Sequence, residues 1–145
     1  ESIPQSIVSH NAKIPSKQYI KAMSKTRISL GARGEELAAE KLKALGYEIV
    51  TRNFRCASGE IDVIAKQVET WVFVEVRTRR GKKFGTPEES ITPRKKQHLL
   101  AAAQTYLQDN ALHDVNWRID FVAVELSPKG ELLRVEVIEN AINEQ

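Results

Sequence analysis

The sequence predicts an α/β domain in which a mixed β-sheet is flanked by helices, with the elements in the order α-β-β-β-α-β-β. Two stretches with helical periodicity begin or end at recognisable capping residues. Five stretches rich in β-branched and aromatic residues lie around them, separated by turn residues. The chain of 145 residues has 41% hydrophobic and 28% charged residues, so it is globular in composition and long enough to bury a core.

The first 28 residues differ in composition from the rest of the chain. Up to position 27 they hold five basic residues against one acidic residue, together with two prolines and few large apolar side chains. We expect residues 1–28 to form a basic, mobile arm and residues 29–145 to form a single domain.

Composition also bounds the class of protein. The single cysteine, Cys56, argues against a disulfide framework and against a cysteine-based zinc site. No apolar stretch approaches the ~20 residues of a membrane span, and a secretory h-region is not found. We therefore expect a cytoplasmic protein that does not enter a membrane.

The first helix is predicted over residues 29–45, because Gly46 is suited to the position after its C-cap. Helical periodicity places Glu35 on the stripe that should face the core. A carboxylate there could reach a metal site. The alternative is that Glu35 only favours the positive end of the helix dipole. The other residues of this stripe are Ala38, Leu42 and Leu45.

Three strands follow, over residues 47–55, 60–66 and 71–77, and the last two form a predicted hairpin. A turn centred between residues 68 and 69 gives the hairpin one wholly apolar face and places Asp62 opposite Glu75 on the other face. Like charges directly opposite each other destabilise a ladder. A divalent cation would explain the pair, because Mg²⁺ takes one or two carboxylates together with substrate phosphate oxygens. A solvated acidic face without metal is the alternative.

Basic residues are concentrated directly after the hairpin. Between Arg77 and Lys96 the chain holds eight basic residues against two acidic ones, which suits an anionic polymer beside the carboxylates. An ordinary solvated loop is the alternative. Residues 78–91 are expected to form a long connection that could act as a flap over bound nucleic acid. The side chains expected to grip phosphates are Arg79, Arg80, Lys82, Lys83, Arg94 and Lys95.

The second helix is predicted from Thr92, as N-cap, and Pro93, as first residue, to about Asp109. Its periodicity puts Lys96 on a stripe with Leu100, so that the Lys96 ammonium could reach a polar site on the core side. A lysine that only covers apolar surface with its stem is the alternative.

Two more strands, over residues 115–126 and 131–139, flank a Ser-Pro-Lys-Gly turn. Asp120 lies in the first of them. It is interpreted as a structural ion-pair partner in preference to a neighbour of the site.

The chain resembles the uncharacterised bacterial YraN-type family in the segments GARGEELAAEKL, RNF, GEID, FVEVR, FGTP and RKKQHLL. The resemblance extends from about Leu30 to Ile138. The element order is similar to the core of the restriction-endonuclease-like fold. Asp62 followed by Glu75-Val76-Arg77 resembles the PD-(D/E)XK nuclease signature, with arginine at the usual lysine position. Members of the YraN-type family also resemble Holliday-junction resolvases and transfer-RNA endonuclease-like domains.

The resemblance implies a role for each matched position. It places the helix glutamate at Glu35 and the metal carboxylates at Asp62 and Glu75. Arg77 stands where the lysine is usual; a guanidinium stays protonated and cannot act as a base, but it can hold a phosphate. We hypothesise that Lys96 supplies the missing ammonium.

The resemblance also implies a reaction, namely Mg²⁺-dependent (or Mn²⁺-dependent) hydrolysis of phosphodiester bonds by an endonuclease. It favours DNA over RNA and includes branched or structured substrates. Many nucleases of this kind pair to cut two strands, so the resemblance admits a homodimer. A non-catalytic nucleic-acid-binding module on the same fold is the alternative, because a fold alone does not establish an activity.

Overall fold

The computed structural model describes residues 29–83 and 85–142, and the predicted arm over residues 1–28 lies outside this part of the chain. The five strands form one sheet in the order β1-β2-β3-β4-β5. Strands β3 and β4 are parallel and the other neighbours are antiparallel, so the predicted mixed sheet and element order are confirmed. The elements are α1 (Leu30–Ala44), β1 (Glu48–Cys56), β2 (Gly59–Gln67), β3 (Thr70–Arg80), α2 (Pro93–Asp109), β4 (Trp117–Leu126) and β5 (Leu132–Ile142).

The second helix begins at Pro93 as predicted, and the first begins one residue after its predicted start. The Ser29 side chain caps α1 by accepting a hydrogen bond from the backbone N–H of Ala32 at 3.1 Å. Thr92 caps α2 by accepting from the backbone N–H of Lys95, also at 3.1 Å. After α1 the chain turns at Gly46, whose φ of 93° lies in the left-handed region that favours glycine.

The helices cover opposite faces of the sheet. Residues Ala38 and Leu42 of α1 pack on one face, against the valines of β3 and β4. Leu99 and Ala103 of α2 pack on the other face, against Phe73 and its neighbours in β2. Both faces of the hairpin are therefore buried, where the sequence predicted one apolar face. Leu45 is wrongly predicted as a core residue, since it follows the end of α1 and is half exposed.

The predicted hairpin register is confirmed from Val63, which pairs with Val74, to the turn. The pairing of β2 with β3 stops there, while β2 continues beside β1 as far as the pair Cys56 and Gly59. Ile61 consequently joins the apolar cluster under α2, whereas Val63 lies in the cluster under α1. Strands β2 and β3 thus diverge beyond Val63, and we name this opening the strand fork.

The connection after the hairpin is shorter and better anchored than the sequence predicts. Residues 78–80 belong to β3, where they pair with β4. Further along, Thr86 and Glu89 form reciprocal side chain-to-backbone hydrogen bonds of 2.9 and 3.2 Å, as in a capping box. Arg134 of β5 holds both carboxylate oxygens of Glu88, at 2.9 and 3.1 Å. The prediction of an unstructured flap over residues 78–91 is therefore wrong for residues 78–80 and 85–90.

Asp120 has the structural role that its sequence context indicates. Its side chain is fully buried between β3 and β5 and accepts from the Tyr47 hydroxyl at 2.9 Å, Arg118 Nε at 2.9 Å and the Asn140 backbone N–H at 2.8 Å. Burial and the Asp120 carboxylate together raise the pKa of Tyr47 to about 12.

Over the described residues, no helix is long and apolar enough to cross a membrane.

Candidate active site

The strand fork holds two acidic side chains from adjacent strands. Asp62 of β2 no longer faces a ladder partner, and its Oδ2 accepts a hydrogen bond from the backbone N–H of Val76 at 2.8 Å. Glu75 of β3 is only 3% exposed, although it is a carboxylate. The sequence predicted that these two residues would be directly opposite in the ladder, but the pairing of β2 with β3 ends before them. Asp62 instead accepts from the backbone of the residue after Glu75, and both carboxylates line the same cavity.

Two cations from different elements contact Glu75. Arg77 Nε lies 3.2 Å from Glu75 Oε2, in an ion pair without the alignment of a hydrogen bond. Lys95 Nζ of α2 lies 3.6 Å from the same oxygen. About a third of each cationic side chain remains exposed, so both can also reach a ligand.

The carboxylates are held in an environment that resists their negative charge. Burial is the main cause that raises the pKa of Glu75 to about 8, and the Asp62 charge adds to it. Burial also raises the pKa of Asp62, against the lowering effect of the Val76 backbone N–H. Arg77 and Lys95 do not fully compensate two negative charges that are taken out of water.

A cavity of about 230 Å³ opens directly above the carboxylates. Its charged lining comes from α1, β2, β3 and α2, so the site forms only when these elements are assembled. The charged residues that line it are Glu35, Asp62, Glu75, Arg77, Arg79 and Lys95.

Glu35 reaches this cavity because α1 approaches β3 very closely. Gly34 is buried, and a Cβ added to it would overlap Thr78 Oγ1 and lie 2.9 Å from Thr78 Cβ. Only glycine permits that approach at this helix position. The pKa of Glu35 is raised, first by burial and then by the Asp62 charge, so the two carboxylates act on each other.

The structure corrects the sequence prediction for the lysine of the site. Lys96 is exposed and does not line the cavity, whereas Lys95 does. The buried stripe of α2 contains Leu99, Ala102 and Ala103, and Lys95 lies one turn before Leu99. A stripe drawn through Leu99, in place of Leu100, would have identified Lys95 from the sequence.

Of the other basic residues predicted to bind phosphates, one lines the cavity and four do not. Arg79 lines the cavity. Arg80 is exposed, and its Nε donates to the Pro128 carbonyl at 2.8 Å. The side chains that are exposed and do not line the cavity are Lys82, Lys83 and Arg94.

The residues present fit a hard divalent cation. Among the described residues, no group of three or more His, Cys, Asp and Glu side chains converges on one point. Two carboxylates suffice for Mg²⁺, however, when substrate phosphate oxygens and water complete the coordination. The donors are all oxygens, and the like-charge pair of half-buried Asp62 and buried Glu75 gains most from a bound cation.

The sequence has close similarity to known bacterial proteins. The model of a family described as "Uncharacterised protein family UPF0102" matches residues 34–124. A UPF0102 protein of Dehalococcoides mccartyi is 47% identical over 123 residues, covering 85% of this chain and all of the relative. One of Caldicellulosiruptor saccharolyticus is 49% identical over 112 residues, covering 77% and 95%. One of Geobacter sulfurreducens is 46% identical over 113 residues, covering 77% and 87%.

Proposed function

The chain belongs to the uncharacterised protein family UPF0102, and we propose that it is a metal-dependent endonuclease that hydrolyses phosphodiester bonds in DNA. The observation that carries the proposal is the pair of the half-buried Asp62 and the buried Glu75 at the strand fork, with Lys95 and Arg77 beside it. A protein gains no stability from burying two carboxylates together. The arrangement is typical of a site that recruits a cation and an anionic substrate.

In this proposal Asp62 and Glu75 hold Mg²⁺ or Mn²⁺, and Glu35 adds a ligand directly or through water. When bound, the cation would lower the pKa of a water molecule and neutralise charge on the reacting phosphate. The Asp62 carboxylate is kept in place by the backbone N–H of Val76, so its orientation is fixed before substrate arrives.

Lys95 takes the part that the sequence assigned to Lys96. Its ammonium enters the site from the first turn of α2 and lies 3.6 Å from Glu75 Oε2. From there it can stabilise the charge that develops on the phosphate, and Arg77 can hold the same group through its guanidinium. Arg77 cannot remove a proton from water, because it stays protonated.

The basic surface around the cavity supports an anionic polymer as the substrate. Arg79 lines the cavity, while Arg80, Lys82 and Arg94 are exposed near it in the chain. Phosphate contacts of this kind predict binding that weakens steeply with salt. With DNA as its substrate, the protein would act in the cytoplasm. A homodimer would place one active site on each strand of a duplex, so that both strands are cleaved. Sedimentation with and without a DNA duplex tests the dimer.

A nucleic-acid-binding module without turnover is the second candidate. It is favoured by one observation, namely that Glu75 already has two cationic partners, Arg77 and Lys95, within the protein. Calorimetric titration with Mn²⁺ separates the two candidates. Absent metal binding with intact DNA binding would favour the module.

The experiment that tests the proposal is a nuclease assay on linear, branched and single-stranded DNA with Mg²⁺ or Mn²⁺. We expect cleavage that stops on addition of a chelator and is lost in Glu75→Ala. Glu36→Ala is the matched control, because Glu36 lies on the exposed face of α1 and only pairs with Arg52. Cleavage that survives in Glu75→Ala would falsify the assignment.

A further inference from the structure

Arg79 continues a row of charged side chains along β3. Alternate residues of a strand point to the same face, so Glu75, Arg77 and Arg79 share the face opposite α1. The repeat along such a row is about 6.6 Å, from two residues of about 3.3 Å each. This repeat is similar to the separation of successive phosphates along a nucleic-acid strand.

The Arg79 guanidinium has an N–H donor that makes no hydrogen bond among the described residues. One terminal nitrogen donates to the Thr78 carbonyl at 3.3 Å. Its Nε is buried and makes no hydrogen bond among the described residues. A buried donor without a partner is unfavourable, and a buried charged donor more so. An acceptor with several negatively charged oxygens, such as a phosphate diester, would satisfy this group.

The nearest acidic neighbour of Arg79 across the sheet is already engaged. Glu125 of β4 lies directly beside Arg79, and Arg134 of β5 lies on the other side of Glu125. Arg134 binds Glu125 Oε2 at 3.1 Å and, with its other contacts, Glu88 at 2.9 Å and Glu136 at 2.6 Å. Glu125 is therefore held by Arg134, and among residues 29–83 and 85–142 no carboxylate forms an ion pair with Arg79.

We propose that Arg79 binds the phosphate next to the one at the carboxylates, and that Arg134 keeps Arg79 available by holding Glu125. The inference rests on the proposed function and narrows its substrate class. The substrate is a polymer that extends by at least one phosphate beyond the reacting bond on the Arg79 side. Small phosphodiesters, which have no second phosphate, do not use Arg79.

Salt dependence of DNA binding tests the contact without knowledge of the binding register. With Ca²⁺ in place of Mg²⁺, the affinity for a labelled DNA duplex is measured by fluorescence anisotropy at several salt concentrations. The slope of log affinity against log salt is negative, and it becomes less steep by about 0.9 for each phosphate that the protein no longer neutralises. We expect Arg79→Ala to make the slope less steep by about 0.9 and to weaken binding about ten-fold. Arg79→Lys should keep the slope, because it keeps the charge.

The role of Arg134 is tested by a second substitution that restores binding. We expect Arg134→Ala to weaken DNA binding, because Glu125 is then free to pair with Arg79. Glu125→Gln on its own should bind like the wild type, and the double variant Arg134→Ala/Glu125→Gln should recover the wild-type slope. A double variant as weak as Arg134→Ala would overturn this part of the proposal.

A small substrate distinguishes failure of this inference from failure of the proposed function. The wild type should hydrolyse bis(p-nitrophenyl) phosphate with Mn²⁺, because this substrate needs the carboxylate site and carries no second phosphate. An unchanged salt slope in Arg79→Ala, with DNA binding and cleavage intact in the wild type, overturns the inference alone. A wild type that neither binds metal nor cleaves any phosphodiester overturns the proposed function.

Discussion

Replacement of Glu75 by glutamine should stabilise the protein while it removes metal binding. Glu75 is 3% exposed and lies against Asp62, and its pKa is raised from 4.5 to about 8. A raised carboxylate pKa means that stability is fully present below about pH 4.5 and is lost as the pH rises through about 8. The metal-free wild type should therefore lose stability between these two values, and the glutamine variant should lose less.

The size of the effect follows from the same shift. Each pKa unit corresponds to about 1.4 kcal/mol, so the cost of the Glu75 charge near pH 8 is roughly 3–5 kcal/mol as an upper bound. Glutamine leaves Lys95 and Arg77 without their counterion, which takes back about 1 kcal/mol for partly exposed pairs. We expect a net gain of about 2 kcal/mol at pH 8 and a rise in Tm of several degrees.

Urea unfolding from pH 5 to 9, in the presence of a chelator, measures this gain. Glu36→Gln serves as control, because that exposed side chain should change stability by less than about 0.5 kcal/mol. Mn²⁺ should then raise the Tm of the wild type and leave that of Glu75→Gln unchanged. A glutamine variant that is less stable than the wild type at pH 8 would show that the carboxylate pair is structural and refute the reasoning.

Three other predictions concern neighbouring parts of the structure. Lys95→Met should lose most nuclease activity in a steady-state assay, and Lys96→Met should retain it; equal losses would contradict the assignment of Lys95. Gly34→Ala should lower the free energy of unfolding by about 1–3 kcal/mol in urea, because the added methyl group meets Thr78; a neutral result would mean that α1 can move away from β3. Asp120→Ala should cost about 3–5 kcal/mol by removing the buried carboxylate that accepts from Arg118 and Tyr47, and the pKa of Tyr47 should move from about 12 towards 10; an unchanged Tyr47 titration would contradict the Asp120 contact.

Local sequence signals were sufficient for the elements and their caps. Gly46 and Thr92 act within one helical turn of themselves, so the chain pattern alone places the end of α1 and the start of α2. The hairpin register from Val63 to the turn also follows from local alternation, whereas the predicted pairing of Asp62 with Glu75 lies beyond the end of that ladder. Strand β3 extends beyond the prediction because residues 78–80 pair with β4, which is far away in sequence.

Local periodicity could not decide which of two adjacent lysines of α2 points towards the site. Lys95 and Lys96 are neighbours in the chain, and only the packing of Leu99 against β2 and β3 decides that Lys95 enters the site. The same holds for Gly34, which the sequence shows only as a glycine inside a helix. Its reason is the close approach of α1 to Thr78, and that contact brings Glu35 to the cavity.

The sequence by itself determined that two carboxylates lie on neighbouring strands of one hairpin, with basic residues after them, because alternation and turn position are local properties. Only the tertiary structure decided that β2 and β3 diverge there and that Lys95 completes the site. It also decided that Arg134 occupies Glu125 beside Arg79. These contacts join residues that are distant in the chain, and long-range packing, which no local pattern encodes, sets their geometry.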